Sequence, residues 1–272
     1  MVLKMSLSVL MSVYYKENSL YLDECFQSLF DQSVSADEII CVKDGALIPE
    51  LDLVLDKWLR ILPLKVVGYE NNHGLAYALN FGLRFCSGEF IARMDTDDIA
   101  DSMRFQKQLN FMRKNPNIVV CSGYVKEFYS SPTEDGLIKK LPIKHKDIYS
   151  YAHFRNPFNH MAVCFRKEVI LALGGYEDVP FFEDYDLWIR LLQKKVITEN
   201  IPEILVNARV GNDMIGRRHG LDYVKRELYF LKKHFYSGFF SKTEYIRFVI
   251  FRIIPRLLPK RILKCFYNFL RK

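Results

Sequence analysis

Gly88-Glu89-Phe90-Ile91-Ala92-Arg93-Met94-Asp95-Thr96-Asp97-Asp98 is the stretch from which the rest of the chain is read. Phe90 to Met94 has the composition of a short buried strand, and it runs out into three carboxylates within four positions. Strand side chains alternate faces, so Asp95 and Asp97 share one side if the extended conformation continues. Two carboxylates at a strand's C-terminal end suit a hard divalent cation. Mg²⁺ takes one or two protein carboxylates and completes its shell with water and phosphate oxygens. The carboxyl ends of strands are also where open α/β sheets bind ligands. The competing reading is an acidic turn in which Asp98 or Asp101 caps the next helix.

Working outward, apolar runs of strand length alternate with segments of helical periodicity. Ser6 to Val13, Ile39 to Val42 and Leu64 to Val67 read as strands. Between them, Leu20 to Phe30, with Ser19 as the expected N-cap, and Leu51 to Leu62 read as helices, followed by Leu75 to Phe85. Beyond the acidic stretch, Met103 to Lys114 is helical and Ile118 to Tyr124 a strand. This alternation predicts βαβ units around a mostly parallel sheet. After Phe128 the pattern loosens: Ser130 to Lys146 reads as a long loop, His160 to Arg166 as a strand, and Lys167 to Leu173 as a helix stopped by Gly174-Gly175. Glu183 to Leu192 is a helix opening on acids, Leu205 to Val210 a strand, Asp213 to Gly220 a basic segment, and Leu221 to Phe235 a helix.

With 272 residues, half of them hydrophobic and 26% charged, the chain is long enough to bury a full core and is not disordered. Its six cysteines are scattered without a Cys-x-x-Cys pair, several within apolar runs, which suits reduced, buried thiols in an intracellular protein and not a disulfide framework or zinc site. The apolar run from Leu7 to Tyr15 is short, carries polar residues and lacks a small-residue cleavage site, so it does not read as a leader. No apolar run reaches spanning length. The net charge of +7 belongs to one end: Arg247 to Lys272 holds eight Lys/Arg and no acid. That asymmetry points to an anionic surface, and nucleic acid is disfavoured because these cations alternate with Leu, Ile and Phe.

An ordered set of short motifs resembles family 2 glycosyltransferases of GT-A fold, especially bacterial enzymes that assemble O-antigens and exopolysaccharides. They are Ser12-Val13-Tyr14, Val42-Lys43-Asp44-Gly45, Asn72-His73-Gly74-Leu75-Ala76-Tyr77-Ala78-Leu79-Asn80-Phe81-Gly82, the Gly88–Asp98 block, Asn156-Pro157-Phe158-Asn159-His160, Gly174-Gly175-Tyr176 and Glu183-Asp184-Tyr185-Asp186-Leu187-Trp188. The resemblance implies a GT-A (Rossmann-like) domain over 1–220, with a nucleotide-binding half to about residue 100 and an acceptor half after it. Residues 221–272 form a basic, amphipathic helical segment beyond.

By that likeness, Asp44 lies against the nucleotide base, although Lys43 stands where the family has a second acid, leaving the base open. Tyr14, Glu17, Asn72, Gly74, Asn80 and Asp95 surround the nucleotide-sugar, and Arg217 or Arg218 grips a phosphate, with Arg209 a further candidate and a solvated basic loop the alternative. Asp97 and Asp95 hold Mn²⁺ or Mg²⁺, with His160 as the nitrogen candidate ahead of His219 and a structural histidine as the other reading. Glu183-Asp184 is the catalytic pair, Asp184 the general base; its alternative role is compensation of a helix dipole, worth about 0.3–1 kcal/mol. Asp186 reads as structural or acceptor-facing.

The implied reaction is inverting, non-processive, metal-dependent transfer of a hexosyl or N-acetylhexosaminyl group. The expected donor is a UDP-sugar and the expected acceptor an undecaprenyl-diphosphate-linked saccharide. Tyr245 to Lys272 would lie on the cytoplasmic membrane face, each cation contributing about 1 kcal/mol near an anionic leaflet. The alternative is a terminal helix packed on the domain. A non-catalytic scaffold and a nucleotidyltransferase are the competing function classes. The second lacks a Gly-x-Gly-x-x-Gly phosphate loop after the first strand, and a processive synthase would need a Gln-x-x-Arg-Trp motif where no Trp follows Trp188.

Overall fold

The computed structural model describes residues 6–211 and 220–253, together with Arg256. Arg217, Arg218 and His219, most of the basic segment around them, and the tail beyond Arg256 lie outside the described residues.

The chain opens with β1 (Leu7–Val13), α1 (Ser19–Phe30), β2 (Glu38–Asp44), α2 (Pro49–Trp58), β3 (Leu64–Tyr69), α3 (Leu75–Leu83) and β4 (Phe90–Arg93). Then come β5 (Ile99–Ala100), α4 (Arg104–Lys114), β6 (Ile118–Phe128), β7 (Ile138–Lys139), α5 (His145–Ala152) and a 3₁₀ turn, His160–Ala162. β8 (Cys164–Arg166), α6 (Lys167–Ala172), α7 (Glu183–Gln193), β9 (Ile197–Arg209), α8 (Leu221–Tyr236) and α9 (Lys242–Phe248) complete it, with a π-helical turn over Val249–Ile253.

The strands lie in the order β3-β2-β1-β4-β8-β6-β9-β5, with β7 beside β6. β3, β2, β1 and β4 pair in parallel, and β6 and β9 form a long parallel ladder in the other half. The short β8 joins the halves, antiparallel to both β4 and β6. The sheet is therefore mostly parallel with short antiparallel joints, the GT-A architecture. Along β1, Leu10 enters the core shared with α3 and α7, whereas Val9, Met11 and Val13 enter the one shared with α1 and α2. Helices cover both faces, so these strands read as unbroken apolar runs.

Several local expectations shift. Asn18, not Ser19, caps α1: its Oδ1 accepts from the Leu20 and Tyr21 amides at 2.9 and 3.4 Å. The expected strand from His160 is strand only from Cys164, because His160–Ala162 closes a turn. The long loop of 130–146 contains β7 and runs into α5, and β9 starts at Ile197, with register shifts in its pairing to β6. Neither Asp98 nor Asp101 is the N-cap of α4, although Asp101 accepts from the Met103 amide at 3.1 Å.

The C-terminal helices continue the domain's core. Val224, Phe230 and Leu231 of α8 are buried in the cluster that holds Trp188 of α7. α9 runs back along α8: Phe235 faces Tyr245 at 5.3 Å, and Arg252 pairs with buried Glu227 at 2.8 Å. Arg256 pairs with the same carboxylate at 2.5 Å. Among the described residues, Arg252 and Arg256 of this basic end therefore turn inward. Among the described residues no helix is long and apolar enough to cross a membrane.

Gly88 allows the approach that places β4 beside β1: a Cβ there would lie 2.7 Å from the Ser8 backbone nitrogen and 2.6 Å from its Oγ. The Ser8 hydroxyl also accepts from the Gly88 amide at 2.9 Å. Gly88→Ala is expected to destabilise the protein by about 1–3 kcal/mol through this overlap, read from denaturant unfolding. An unchanged unfolding midpoint would refute the close-approach account.

Candidate active site

β4 ends at Arg93, and Thr96-Asp97 make a turn. Asp95 and Asp97 are thus brought together by a turn and not by strand alternation. Two buried arginines fix that turn from beneath. Arg104, fully buried on α4, donates to the Arg93 carbonyl at 2.6 Å and from Nε to Gln108 at 3.1 Å; Gln108 in turn reaches the Ala162 carbonyl at 2.9 Å. Arg93, 3% exposed, pairs through Nη2 with the Asp95 carboxylate. From above, Arg209 at the end of β9 donates its amide to Asp98 at 2.9 Å and its Nε to the Asp97 carbonyl at 3.2 Å. Its guanidinium also lies over the Tyr21 and Phe128 rings and pairs with Glu24, so Arg209 is a structural pin.

The carboxylates here raise one another's pKa values. Burial, then Asp95, pushes Asp97 up to about 6. Burial, then Asp97 and Asp95, pushes Glu17 up to about 7 against an opposing bond from Thr96. Burial raises Asp98 well above the ordinary range. Such a set of hard oxygens, mutually repelling when ionised, fits Mg²⁺ or Mn²⁺, which would relieve the repulsion. Among the described residues, no three His, Cys, Asp or Glu side chains group so as to hold a metal ion. Asp97 and Asp95 would be the protein ligands of such an ion, with the rest of its shell coming from water or a bound anion.

The loop beyond β2 is built on Asp44. Its carboxylate accepts from Tyr69 Oη (2.9 Å), Asn72 Nδ2 (2.9 Å), the His73 amide (2.7 Å) and the Gly74 amide (3.0 Å). A carboxylate has about four acceptor positions, so this one is filled by Tyr69 of β3 and by the Asn72–Gly74 turn that opens α3. Gly45, at φ +91°, allows the approach: a Cβ there would lie 2.8 Å from the Asn72 nitrogen. Lys43 is paired with Asp52 of α2 at 2.7 Å. Asn80 clasps the Gly-Gly-Tyr turn, donating to the Tyr176 carbonyl at 2.7 Å and accepting from its amide at 2.8 Å. A Cβ on Gly175 (φ +73°) would lie 2.3 Å from the Asn80 Oδ1. Tyr14 stands beyond β1, its ring edge-on to Tyr15.

Glu183 and Asp184 open α7. Burial raises both, Glu183 to about 7 with a further push from Asp184. Asn156 donates to Asp184 Oδ2 at 2.5 Å and the Tyr185 amide to Oδ1 at 2.7 Å, holding the rotamer and moderating the rise. The Asn156–His160 run is itself anchored: Phe158 packs edge-on against Trp188, and Asn159 donates to the Gly123 carbonyl at 2.9 Å. His160 Nε2 lies 3.0 Å from the Tyr176 hydroxyl, and burial, then Arg93, lowers its pKa well below the ordinary value. Asp186 points the other way, into a buried cluster with Arg190, Lys233 and His234, and is pushed down to about 2.

The model of glycosyl transferase family 2 matches residues 8–171, which carry the strand-end acids and the Asn156–His160 run. The chain belongs to glycosyl transferase family 2. It is 40% identical over 268 residues to the amylovoran biosynthesis glycosyltransferase AmsE of Erwinia amylovora, covering 97% of this chain and 99% of the relative. It is 40% identical over 253 residues to the UDP-Gal:alpha-D-GlcNAc-diphosphoundecaprenol beta-1,3-galactosyltransferase of Escherichia coli, covering 93% and 91%. The mannosyltransferase PcManGT of Pyrobaculum calidifontis, solved with GDP-Man and Mn²⁺, superposes with a TM-score of 0.64 at 16% identity, covering 99% of this chain and 81% of that one. At that identity the likeness speaks for the fold.

In this glycosyltransferase the family motifs serve two ends. Glu17, Asp95, Asp97, Glu183 and Asp184 bring carboxylates into one electrostatic neighbourhood, since Arg93 acts on Glu17, Asp97, Glu183 and Asp184 and pairs with Asp95. Asp44, Asn72, Gly74 and Asn80 build the loops around it. Sequence reasoning assigned no role to Arg93, Asn156 or Tyr176. For Arg93 the signal was a cation inside an apolar strand.

Glu17, Asp97 and Glu183 hold protons in the folded state that the unfolded chain releases at 4.5, 3.8 and 4.5. The resulting stability is full below those values and is lost as pH rises through about 6 to 7. The ligand-free protein is therefore expected to lose thermal stability between about pH 5 and about pH 8, and Glu17→Gln to flatten that slope. Parallel melting curves for the two proteins across this range would contradict the repulsion account.

Proposed function

We propose that this glycosyltransferase moves a sugar from a UDP-sugar onto a saccharide carried on a lipid diphosphate, inverting the anomeric centre and transferring one residue per encounter. The observation that carries it is that Arg93, ion-paired with Asp95 at the end of β4, acts electrostatically both on Asp97 beside it and on Glu183 and Asp184 at the start of α7. The E. coli relative, whose name specifies UDP-Gal and a diphosphoundecaprenol-linked acceptor, supports the choice of donor and acceptor class at 40% identity.

The donor diphosphate lies over the Asp95–Asp98 turn, where Asp97 with Asp95 would hold Mg²⁺ or Mn²⁺. The ion would supply Lewis-acid stabilisation of the departing nucleoside diphosphate. His160, bonded to Tyr176, stays neutral beside this site and supports Tyr176. Asp184 takes the proton of the acceptor hydroxyl as its oxygen attacks the anomeric carbon from the face opposite the diphosphate. A single displacement of this kind inverts the centre and needs no covalent nucleophile. Asp44 contributes by shaping the Asn72–Gly74 turn at the base end. Arg217 and Arg218, outside the described residues, are the phosphate-gripping candidates.

The C-terminal segment is proposed to rest on the anionic cytoplasmic leaflet. Ile246, Ile250 and Phe251 are exposed there, and the sequence from Arg247 to Lys272 carries eight Lys/Arg and no acid.

The test is a panel of nucleotide-sugars with Mn²⁺ or Mg²⁺, scoring nucleoside diphosphate release and transfer to a lipid-diphosphate-linked saccharide. One donor is expected to turn over. Asp97→Asn should lose donor binding and turnover together, whereas Asp184→Asn should keep binding and lose at least about 10²-fold in kcat. Asp184→Asn with near-normal turnover would remove it as the base. Asn156→Ala should shift the acid limb of kcat to higher pH, since the bond it deletes lowers the Asp184 pKa.

A further inference from the structure

Arg93 is the buried charge that the family reading leaves without a task. It closes β4, its amide bonded to the Val163 carbonyl at 3.0 Å and its carbonyl held by Arg104. Its guanidinium makes one ion pair, Nη2 to Asp95, while Nε and Nη1 are buried and have no hydrogen-bond partner among the described residues. Two uncommitted nitrogens on a buried guanidinium are costly, and a fold selected for stability alone would satisfy them. The titratable groups it acts on electrostatically, besides its ion-paired partner Asp95, come from several elements. Asp95, Asp97 and Asp98 lie on the turn after β4, Glu17 before α1, His160 on the 3₁₀ turn, Tyr176 beyond α6, and Glu183 and Asp184 on α7. It lowers the pKa of each carboxyl group among them for which a shift is resolved.

We propose that Arg93 is the positioning residue of the transfer reaction: one edge of its guanidinium fixes the Asp95 carboxylate, and its unspent positive charge links the donor-side acids to the catalytic pair on α7. The proposal rests on the functional reading above. A preorganised cation in a water-poor site stabilises negative charge without reorganising, and here that charge is the Asp184 carboxylate on one side and the diphosphate on the other. Arg93 acts through Asp95 and Asp184, its buried nitrogens being out of a ligand's direct reach.

Arg93→Met keeps the side chain's length and removes the charge; Arg93→Lys keeps the charge and loses the fork. Full-length wild type and both variants are compared by kcat and KM for the donor, the acid limb of kcat, UDP affinity and thermal midpoint. Arg93→Met is expected to lose about 10²-fold or more in kcat, to bind UDP about tenfold more weakly, and to shift the acid limb to higher pH. Arg93→Lys should restore the acid limb and much of the kcat while keeping a raised KM. Equal losses in both variants with an unmoved acid limb would mean packing alone and overturn the proposal, as would a folded Arg93→Met with wild-type kcat and UDP affinity. If wild type turns over no donor, the functional reading fails. Arg93 is then judged on UDP binding, where an Arg93→Met protein that binds UDP as wild type does overturns the proposal. The tenfold loss, relieved by lysine, supports it.

Discussion

The structure is organised around the cost of gathering carboxylates where water is scarce. Glu17, Asp95, Asp97, Asp98, Glu183 and Asp184 come from three widely separated segments. Burial raises every one of them for which a shift is resolved. Ionised, Glu17, Asp95 and Asp97 repel one another, as do Glu183 and Asp184. Opposing this are the Arg93 guanidinium, which lowers the pKa of acids in both sets, and a backbone pinned by Arg104 and Arg209. The site is thus under electrostatic load before any ligand arrives.

The rest of the fold holds the two halves of that site in register. The parallel β1–β4 core carries the Asp95–Asp98 turn, and α7 opens on Glu183 and Asp184. Asn80 links α3 to the Gly174–Tyr176 turn by two hydrogen bonds, and Asn156 links the loop before β8 to Asp184. At the other end of this arrangement, Asp186 ties α7 to α8 through Lys233 and His234 and to its own helix through Arg190. The family's Glu-Asp-Tyr-Asp run therefore divides its labour within one helical turn. Asp184 faces the site, and Asp186, two positions on, faces the core. The C-terminal helices are part of this frame as well as the root of the basic tail, because Glu227 draws Arg252 and Arg256 back onto the domain.

The first half of the fold was readable from the sequence because its signals are local. Unbroken apolar runs mean strands covered on both faces, and helical spacing supplies the covers, so β1 to β4 and α1 to α3 follow to within a few residues. The second half was harder. β8 offers three residues to the sheet, β7 two, and β9 runs through polar positions such as Asn200, whose side chain is spent on the Pro142 and Pro157 carbonyls. Such strands are defined by what they lie against and have little periodicity of their own.

The same division runs through the site. The sequence alone determined where the acids lie, since a run of acids after a buried strand and another at a helix start are covalent facts. Only the tertiary structure decided how each one is buried and bonded. It committed the Asp44 carboxylate to four internal bonds, turned Asn80 into a clasp, paired His160 with Tyr176 and made Arg209 a pin. It also set Arg93 among the acids with two nitrogens unspent. The physical reason is that charge state and bonding depend on burial and on neighbours brought together across the fold, such as Arg93 and Asp184, which no local pattern records.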